Sequence, residues 1–391
     1  MGNRQFRDSY DIVIIGAGPA GLSAGLRVCR EKSLSVLLVD KMKPWEHPIP
    51  CAEGVGRLGF HEALEVNPKW IRHEVSKALF HAPDGSTIAY TDRNKGYIID
   101  RAGMQSDLAS KLDNNGVQCA YGIRILDISP VKNELREVSF ANGEKVKARA
   151  IIDASGPSSK FGKAEKICWK AMDLEPAYFV HVNNIDIPTD TVHLYVSRSI
   201  APGGYAWVFP RNTNEANIGL LVGKSFRSEV NIRKLLDDFL VKHFPGVSIV
   251  QRFAGSIPCG YQRGTAAIPG LIKSGDAAST INPISRAGIV EALMSGALAG
   301  EYAIMMTGAE NERDLKKICR DYETAWYKKR GCHHLKLARV KNSLYKVPDE
   351  DYNKAAQSLS SIPREELTMS RIFKISLGRF PRLVWAMRHL M

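Results

Sequence analysis

Two glycine-rich turns, one at the start of the chain and one in its last third, constrain this 391-residue sequence more than any other feature. The first reads GAGPAG from residue 16, follows four apolar residues, and precedes Asp40 by about twenty residues. In such a motif Gly16 makes the tight turn, Gly18 lets a pyrophosphate approach the backbone, and Gly21 lets helix and strand pack closely. Asp40 would then bind ribose hydroxyls. The pattern predicts a dinucleotide at the N-terminus of a helix.

The second turn indicates which dinucleotide is bound. An apolar run from Gly270 leads into Gly275-Asp276-Ala-Ala, and a stretch of small and apolar residues begins at Ile289. This arrangement resembles the second fingerprint of the glutathione-reductase-like flavoproteins. The resemblance implies that Asp276 binds the ribityl chain of FAD, with Gly288 and Ile289 against the isoalloxazine. The positive end of a helix there would favour the negative charge of reduced flavin. A nicotinamide dehydrogenase needs only the first turn.

The charge of the chain indicates an anionic partner. There are 54 Lys and Arg against 41 Asp and Glu, a formal net charge of +13. No interleaved aromatic and basic RNA motif and no zinc-finger spacing occurs, so neither nucleic acid nor a metal is expected. An anionic lipid surface or an acidic electron donor fits better. The C-terminal stretch is either an interfacial amphipathic segment or a helix packed on the body, interrupted at Pro381. Its basic residues are Arg371, Lys374, Arg379, Arg382 and Arg388.

The cellular compartment is predicted from the termini and the cysteines. The first five residues are polar, and no window of about twenty residues is free of charge, so neither a signal peptide nor a membrane span is expected. The nearest candidate, 289–306, contains Glu291 and Glu301 and is expected to be a buried helix. The seven cysteines include no CxxC pair, which indicates a reduced compartment. We therefore expect a cytoplasmic protein, with peripheral contact at the membrane surface as a further possibility.

Apolar periodicity predicts an alternation of strands and helices in the first part of the chain. The predicted strands are 10–15, 35–40, 117–129, 138–140 and 145–150, and the predicted helices are 20–30 and 101–114. A type I′ turn is expected at Asn142-Gly143. The last strand runs into Asp153-Ala-Ser-Gly156, a strand-end turn that also resembles a motif of flavin-dependent hydroxylases.

Further along, the pattern changes to short alternating strands, which predict an antiparallel sheet. These strands are 178–183, 191–196, 206–209 and 216–222, with 80–90 adding to them. The fold class is therefore α/β with three parts. A discontinuous FAD-binding domain takes 1–75, 97–167 and 259–309. An antiparallel substrate domain takes 76–96 and 168–258, and a helical region takes 310–391.

Three stretches carry a more specific resemblance. Pro50-Cys51-Ala52-Glu53-Gly54 is similar to a cysteine-containing flavin loop, and Tyr195 with 204–210 matches the pattern YxxxxxxxxGxxWxFP. The third is the basic helical C-terminal region. On these motifs the chain resembles the geranylgeranyl reductase family of flavoproteins. The resemblance covers most of the chain. The resemblance implies a Rossmann-like FAD domain of the glutathione-reductase and PHBH type. The loop Asn282-Pro-Ile-Ser-Arg286-Ala departs from a glycine-richer loop in many members.

The resemblance also implies roles for single residues. Ala20 and Asp40 would contact the FAD pyrophosphate and the adenosine ribose. The other cofactor contacts would come from Cys51, Ala52, Gly54, Arg101, Ile125, Asp276, Gly288 and Ile289. The matching aromatic motif would line the lipid pocket through Tyr195, Tyr205, Trp207 and Phe209.

Strand geometry, independent of any family resemblance, also makes a prediction about these aromatic residues. Tyr205, Trp207 and Phe209 alternate, so their side chains share one face of a strand. That face is either plain sheet core or the wall of an apolar tunnel. A polyprenyl chain needs such a tunnel, because its burial is driven by apolar area at roughly 25 cal/mol per Å².

The implied reaction is hydride transfer from reduced FAD to one carbon of a double bond in a geranylgeranyl chain, with a proton added to the other carbon. Cys51, Tyr205 or an ordered water could supply the proton. The electron donor would be ferredoxin or NAD(P)H. A flavin monooxygenase or hydroxylase of the same superfamily is the alternative, although the WxWxIP motif of halogenases does not occur. A third class is a non-catalytic flavin-binding or membrane-associated protein.

Overall fold

A computed structural model describes residues 6–167, 173–261 and 265–360. Two sheets account for its strands, and helices follow them toward the C-terminus. The strands are β1 Ser9–Ile15, β2 Val36–Asp40, β3 Gly54–Gly56, β4 Ile71–His81, β5 Thr87–Ile99, β6 Gln118–Tyr121, β7 Ile125–Ile128, β8 Arg136–Phe140, β9 Lys145–Asp153, β10 Leu174–Asn183, β11 Thr191–Tyr195, β12 Tyr205–Pro210, β13 Glu215–Leu221, β14 Ser248–Pro258, β15 Ala267–Ile268 and β16 Leu271–Lys273. The α-helices are α1 Pro19–Val28, α2 Arg57–Ala63, α3 Arg101–Asn114, α4 Ile232–His243, α5 Ile289–Thr307, α6 Glu312–Trp326, α7 Cys332–Leu344 and α8 Asp349–Ser360, and a π-helical turn at Tyr327–Gly331 joins α6 to α7.

The first sheet has the order β15-β16-β9-β1-β2-β6, and β8 adds to β9 and β7 to β8. From β16 to β6 the neighbours are parallel. Ile12, Val13 and Ile14 of the central strand are completely buried. A parallel strand covered on both faces requires such a continuous apolar run, and this explains why the first glycine turn follows four apolar residues. The predicted α/β class is confirmed.

The second sheet has the order β14-β10-β13-β12-β11-β4-β5-β3. Its pairs are antiparallel except for β11 with β4. One face packs on α4, through Leu236, Phe239 and Leu240. The sheet includes β3 and the first part of β4, which the prediction assigned to the FAD-binding domain. The division into domains itself stays a prediction.

Two local predictions were wrong. The single strand 117–129 is two strands, β6 and β7, because Gly122 takes a φ of 80° between them. The turn between β8 and β9 is not type I′. Gly143 has a φ of 89° but Asn142 does not have a positive φ. The Phe140 N–H donates to Glu144 O, and the Gly143 N–H donates to Phe140 O. These bonds describe a type I turn followed by a glycine bulge, which also matches the strand twist.

Helix α5 is the described helix that is long and apolar enough to cross a membrane, with a mean hydropathy of 1.3. It lies in the core against α1, as predicted. A Cβ at Gly296 would lie 2.1 Å from the carbonyl oxygen of Ala20, and one at Gly300 would lie 2.8 Å from that of Ala24. These two glycines let the backbones touch. The basic stretch 371–388 lies outside the described residues.

Candidate active site

In the first glycine turn, packing within the protein explains two of the glycines, Gly16 and Gly21, but does not explain Gly18. Gly16 has a φ of 103°, and a Cβ there would lie 2.3 Å from the Ala154 carbonyl oxygen. A Cβ at Gly21 would lie 1.8 Å from the Gly16 oxygen. Around Gly18, by contrast, no described atom lies within 4 Å of a Cβ. No described side chain caps the N-terminus of α1 at Gly18, so the backbone N–H groups of its first turn have no side-chain acceptor among the described residues.

Asp40 supports the turn from the end of β2. Its Oδ2 accepts the Ala17 N–H at 2.7 Å, and its Oδ1 accepts the Met42 N–H at 3.1 Å. Burial raises the pKa of Asp40, against the opposing effect of these two N–H groups. The Ile123 N–H donates to Asp40 O at 3.1 Å, and two residues later the half-buried Ile125 begins β7, where it pairs with Phe140 of β8. The ribose role of Asp40 and the adenosine role of Ile125 stay predictions.

The second fingerprint forms a buried 3-10 turn over Gly275–Ala278. A Cβ at Gly275 would lie 2.8 Å from Ala20 Cβ, so the two fingerprints, far apart in sequence, touch. Burial raises the pKa of Asp276 to about 6, and the charge of Arg101 acts in the opposite direction. Arg101 Nε donates to Gln105 Oε1 at 2.9 Å. This buried glutamine, which orients Arg101, was not predicted from the sequence.

The predicted flavin end of the site is the N-terminus of α5. A Cβ at Gly288 would lie 3.9 Å from Asp276 Oδ1, and Ile289 is buried at the first position of the helix. No described side chain caps this helix, which leaves its positive end available. Asp276, Gly288 and Ile289 are therefore brought together, as the fingerprint resemblance requires.

Two buried hydroxyls test whether these residues fit a flavin dinucleotide. Ser279 Oγ and Thr280 Oγ1 have no hydrogen-bond partner among the residues that the structure describes. Buried polar atoms without a partner are rare in native proteins and indicate a missing water or ligand. Together with the open space at Gly18 and two uncapped helix N-termini, they fit a bound FAD.

The cysteine loop connects the two sheets. Cys51 is half-buried, and its Sγ accepts the Glu53 N–H at 3.2 Å. The Cys51 carbonyl oxygen accepts Asn217 Nδ2 at 2.6 Å. A Cβ at Gly54 would lie 2.8 Å from Phe209 Cε2, and Ala52 packs on the same aromatic cluster. The loop therefore lies directly against the second sheet.

A buried ion pair fixes this loop. Glu53 has a left-handed φ of 63°, and its Oε2 lies 2.9 Å from Arg211 Nε and 3.8 Å from Arg72 Nε. Burial raises the pKa of Glu53, while the charges of Arg211 and Arg72 act in the opposite direction. Arg211 therefore holds the cysteine loop through Glu53.

The aromatic face of β12 packs on that loop. Tyr205, Trp207 and Phe209 share one cluster with Phe179 and Phe253, as the alternation predicted. The rings of Phe179 and Phe253 are stacked at 4.6 Å, and Trp207 Nε1 donates to Asn217 Oδ1 at 3.1 Å. Asn217 thus bonds both the aromatic strand and the cysteine loop, a link that alternation alone could not reveal.

Tyr195 lies elsewhere, which corrects its predicted place beside the other three aromatics. It pairs in register with Ala206, and register partners share a face of the sheet. Because Ala206 lies between Tyr205 and Trp207, that face is the opposite one. There the ring of Tyr195 stacks on His81 at 4.1 Å and meets Phe239 of α4 edge-on at 5.0 Å.

Three histidines surround Tyr195 on this opposite face. His81 Nε2 lies 3.0 Å from His193 Nδ1, and the ring of His243 lies 5.3 Å from that of Tyr195. Burial lowers the pKa of all three, and the neighbouring imidazoles contribute to lowering that of His81 to about 4. No group of metal-binding geometry was found among the described residues. The cluster is neutral near pH 7.

This cluster predicts an acid-sensitive contribution to stability. The folded-state pKa of His81 lies below that of the unfolded chain, so the unfolded chain binds the proton first. The free energy of unfolding therefore falls as the pH drops from about 6.5 to 4, by roughly 2 kcal/mol from His81 once solvent screening of this partly exposed ring is allowed for. We expect His81→Phe to lose this part of the decline in denaturant titrations at both pH values. The same change at the exposed His47 is the control, and identical pH slopes in all three proteins would contradict the prediction.

Comparisons with known proteins show the family to which the chain is similar. A family model described as the geranylgeranyl reductase catalytic domain matches residues 173–257, and one described as lycopene cyclase protein matches residues 11–184. The digeranylgeranylglycerophospholipid reductase of Methanosarcina mazei is 30% identical over 397 residues, covering 98% of this chain and 97% of the relative. Digeranylgeranylglycerophospholipid reductase 1 of Methanococcoides burtonii is 29% identical over 401 residues, covering 98% and 96%.

Solved structures share the fold. A geranylgeranyl bacteriochlorophyll reductase-like protein from Thermoplasma acidophilum has a TM-score of 0.86 at 24% identity, covering 98% of this chain and 100% of its own. The myxobacterial chondrochloren halogenase, an FAD-dependent halogenase, has a TM-score of 0.68 at 15% identity, covering 98% of each chain. At these identities the likeness concerns architecture alone.

Proposed function

This chain belongs to the geranylgeranyl reductase family of FAD-dependent flavoproteins, and from that premise we propose that it saturates carbon–carbon double bonds in the geranylgeranyl chains of membrane lipids or their precursors. The family membership rests on similarity over nearly the whole chain. The relatives' names identify a glycerophospholipid carrying such chains, and we propose the same substrate class here.

One structural observation carries the proposal: the cysteine loop, which the family resemblance places beside the flavin, packs against the aromatic face. Asn217 hydrogen-bonds Cys51 on one side and Trp207 on the other. Phe209 closes on Gly54 of the same loop. An apolar chain lying along the aromatic face would therefore reach the loop that is expected to border the flavin.

The chain's own residues hold the cofactor at defined points. The open backbone at Gly18 and the N–H groups of α1 would bind the pyrophosphate. Asp40 would bind the adenosine ribose, and Asp276 with the buried hydroxyls of Ser279 and Thr280 would bind the ribityl side. FAD, when bound and reduced, supplies hydride chemistry for an isolated double bond. The packed rings of Trp207 and Phe179 would exclude water from the aromatic face beside the cysteine loop.

Of the two candidate side chains, Cys51 and Tyr205, Cys51 is the better donor of the proton that the alkene receives. Tyr205 already donates its hydroxyl proton to Ser285 O at 2.6 Å, and burial raises its pKa to about 12. Cys51 Sγ instead accepts a hydrogen bond from the Glu53 N–H, which leaves its S–H free to donate. We propose that Cys51 Sγ holds the proton delivered to the alkene.

Removing this thiol should separate chemistry from cofactor binding. For Cys51→Ala we expect double-bond reduction to fall on the order of 100-fold, the low end of general-acid contributions, with FAD binding unchanged. The assay supplies chemically reduced FAD and a geranylgeranyl lipid under argon and counts, by mass spectrometry, gains of two hydrogens per double bond. Cys332→Ala, at an exposed cysteine, is the matched control. Full activity of Cys51→Ala would remove Cys51 from the mechanism.

We further propose a cytoplasmic protein that contacts the membrane surface peripherally and takes electrons from ferredoxin or NAD(P)H. The supporting observation is the net charge of +13. We expect co-sedimentation with phosphatidylglycerol vesicles at low salt, loss of binding at about 0.5 M salt as charges are screened, and no binding to phosphatidylcholine vesicles. Equal binding to both vesicle types would contradict the electrostatic part of this proposal.

A further inference from the structure

Arg286 occupies an unusual backbone conformation next to the predicted flavin site. It has a φ of 56°, a left-handed conformation that L residues other than Asn and Asp rarely adopt. The surrounding loop, 282–288, is internally bonded. Asn282 Oδ1 accepts the N–H groups of Ile284 and Ser285 at 3.0 Å, and the Arg286 N–H donates to Asn282 O. A conformation of this kind persists only where the surroundings hold it.

The Arg286 side chain supplies such a restraint. Its Nε and Nη2 both lie 2.9 Å from Glu175 Oε2 on strand β10. The Glu175 side chain is completely buried, and that of Arg286 is 7% exposed. The guanidinium also lies over the ring of Tyr205, 5.4 Å from its centroid. The pair therefore ties the loop to two strands of the second sheet.

The remaining charges around Glu175 balance the pair. Lys341 Nζ of helix α7 lies 3.0 Å from Glu175 Oε1, also bonds Asp173, and donates to Cys259 O at 2.9 Å. The Tyr345 hydroxyl donates to the same Oε1. Two carboxylates thus face two cations, and the Glu175, Arg286 and Lys341 side chains among them are buried. Such a group is strongly destabilised when one member is removed and another is left unpaired.

This group lies at the flavin end of the site. Loop 282–288 is the last part of the segment between Asp276 and Gly288, the two residues predicted to contact the ribityl chain and the isoalloxazine. The Asn282 N–H donates to Ala287 O, directly before Gly288, and the Ile281 side chain would lie 3.2 Å from a Cβ at Gly288. A displacement of Arg286 would therefore move the backbone beside the flavin.

We propose that Arg286 and Glu175 form a positioning pair that fixes this loop against the flavin and sets the reduction potential of the bound cofactor by their charges. The inference rests on the proposed function in requiring that FAD binds. Reduced flavin carries more negative charge than the oxidised form. A nearby cation therefore raises the reduction potential, a nearby anion lowers it, and the balanced pair holds an intermediate value.

The test uses FAD-loaded full-length protein and measures the flavin reduction potential by equilibration with redox dyes. Arg286→Met should shift the potential to more negative values and Glu175→Gln to more positive values. The double variant should lie near the wild type, and Arg286→Lys, which keeps the charge, should recover most of the Arg286→Met shift. Arg252→Met and Asp237→Asn, from an exposed ion pair, are the matched controls and should not move the potential.

The outcomes separate this inference from the proposed function. A wild-type protein that takes up no FAD would remove the proposed function itself. A wild type that binds FAD, with the same potential in Glu175→Gln and Arg286→Met as in the controls, would overturn the positioning pair. Shifts of equal sign in Arg286→Met and Glu175→Gln would also overturn it, because general loosening of the fold has no charge dependence. If Arg286→Met does not fold, the near-isosteric Glu175→Gln still carries the test.

Discussion

Gly18→Ala is expected to leave the fold intact while weakening FAD binding roughly 100-fold, equivalent to about 2.7 kcal/mol. Gly18 has a φ of −75° and a ψ of −179°, which alanine adopts without strain. No described atom lies within 4 Å of the added Cβ, so the protein alone gives no reason for glycine at this position. The space is needed for the pyrophosphate to reach the backbone.

The measurement is a fluorescence titration of FAD into flavin-free protein, with guanidinium unfolding of the same sample. Gly21→Ala is the contrasting variant, because its Cβ would lie 1.8 Å from the Gly16 carbonyl oxygen. We expect it to lower the free energy of unfolding by more than about 3 kcal/mol even without FAD. If Gly18→Ala binds FAD as tightly as the wild type, the pyrophosphate does not lie at this turn.

Lys273→Met is expected to destabilise the protein by about 3–5 kcal/mol, because it leaves a buried carboxylate without its cation. Lys273 and Asp153 end adjacent parallel strands in register. Their side chains are 2% and 0% exposed, and Lys273 Nζ lies 3.3 Å from Asp153 Oδ2. Lys273 Nζ also donates to Ser159 Oγ at 2.8 Å, and Ser155 Oγ donates to Asp153 Oδ1 at 2.6 Å. Asp153 therefore has a structural role at the strand end.

The check is the free energy of unfolding in guanidinium, measured for single and double variants. Asp153→Asn combined with Lys273→Met should recover part of the loss, because no buried charge then remains unpaired. Lys234→Met, which breaks the exposed pair with Asp238, should cost at most about 0.5 kcal/mol. Equal losses in Lys273→Met and Lys234→Met would show that burial of the first pair is not what makes it strong.

Parts of the site follow from short patterns. The glycine turns, the helix beginning at Arg101 and the shared face of Tyr205, Trp207 and Phe209 all depend on residues close together in sequence. Their geometry is set by steric limits on φ and by the two-residue period of a strand. The chain length between the two fingerprints carries no information about their contact, which Ala20 and Gly275 make in the structure.

Other features of the site depend on contacts between residues that are far apart in the sequence. The face that Tyr195 occupies is decided by its register with Ala206, and a shift of one residue would have reversed it. The pairing of Arg286 with Glu175 joins residues 111 positions apart, and each alone is an ordinary charged residue.

The residue order of this chain is sufficient to establish a flavin-binding α/β protein and to predict where its cofactor contacts lie, because steric rules act over a few neighbouring residues. Folding alone determines which aromatics meet the cysteine loop, which hydroxyls are left buried without a partner and which charges balance beside the predicted flavin site. Those properties are set by strand register and by desolvation, and both come into being only when distant segments pack together.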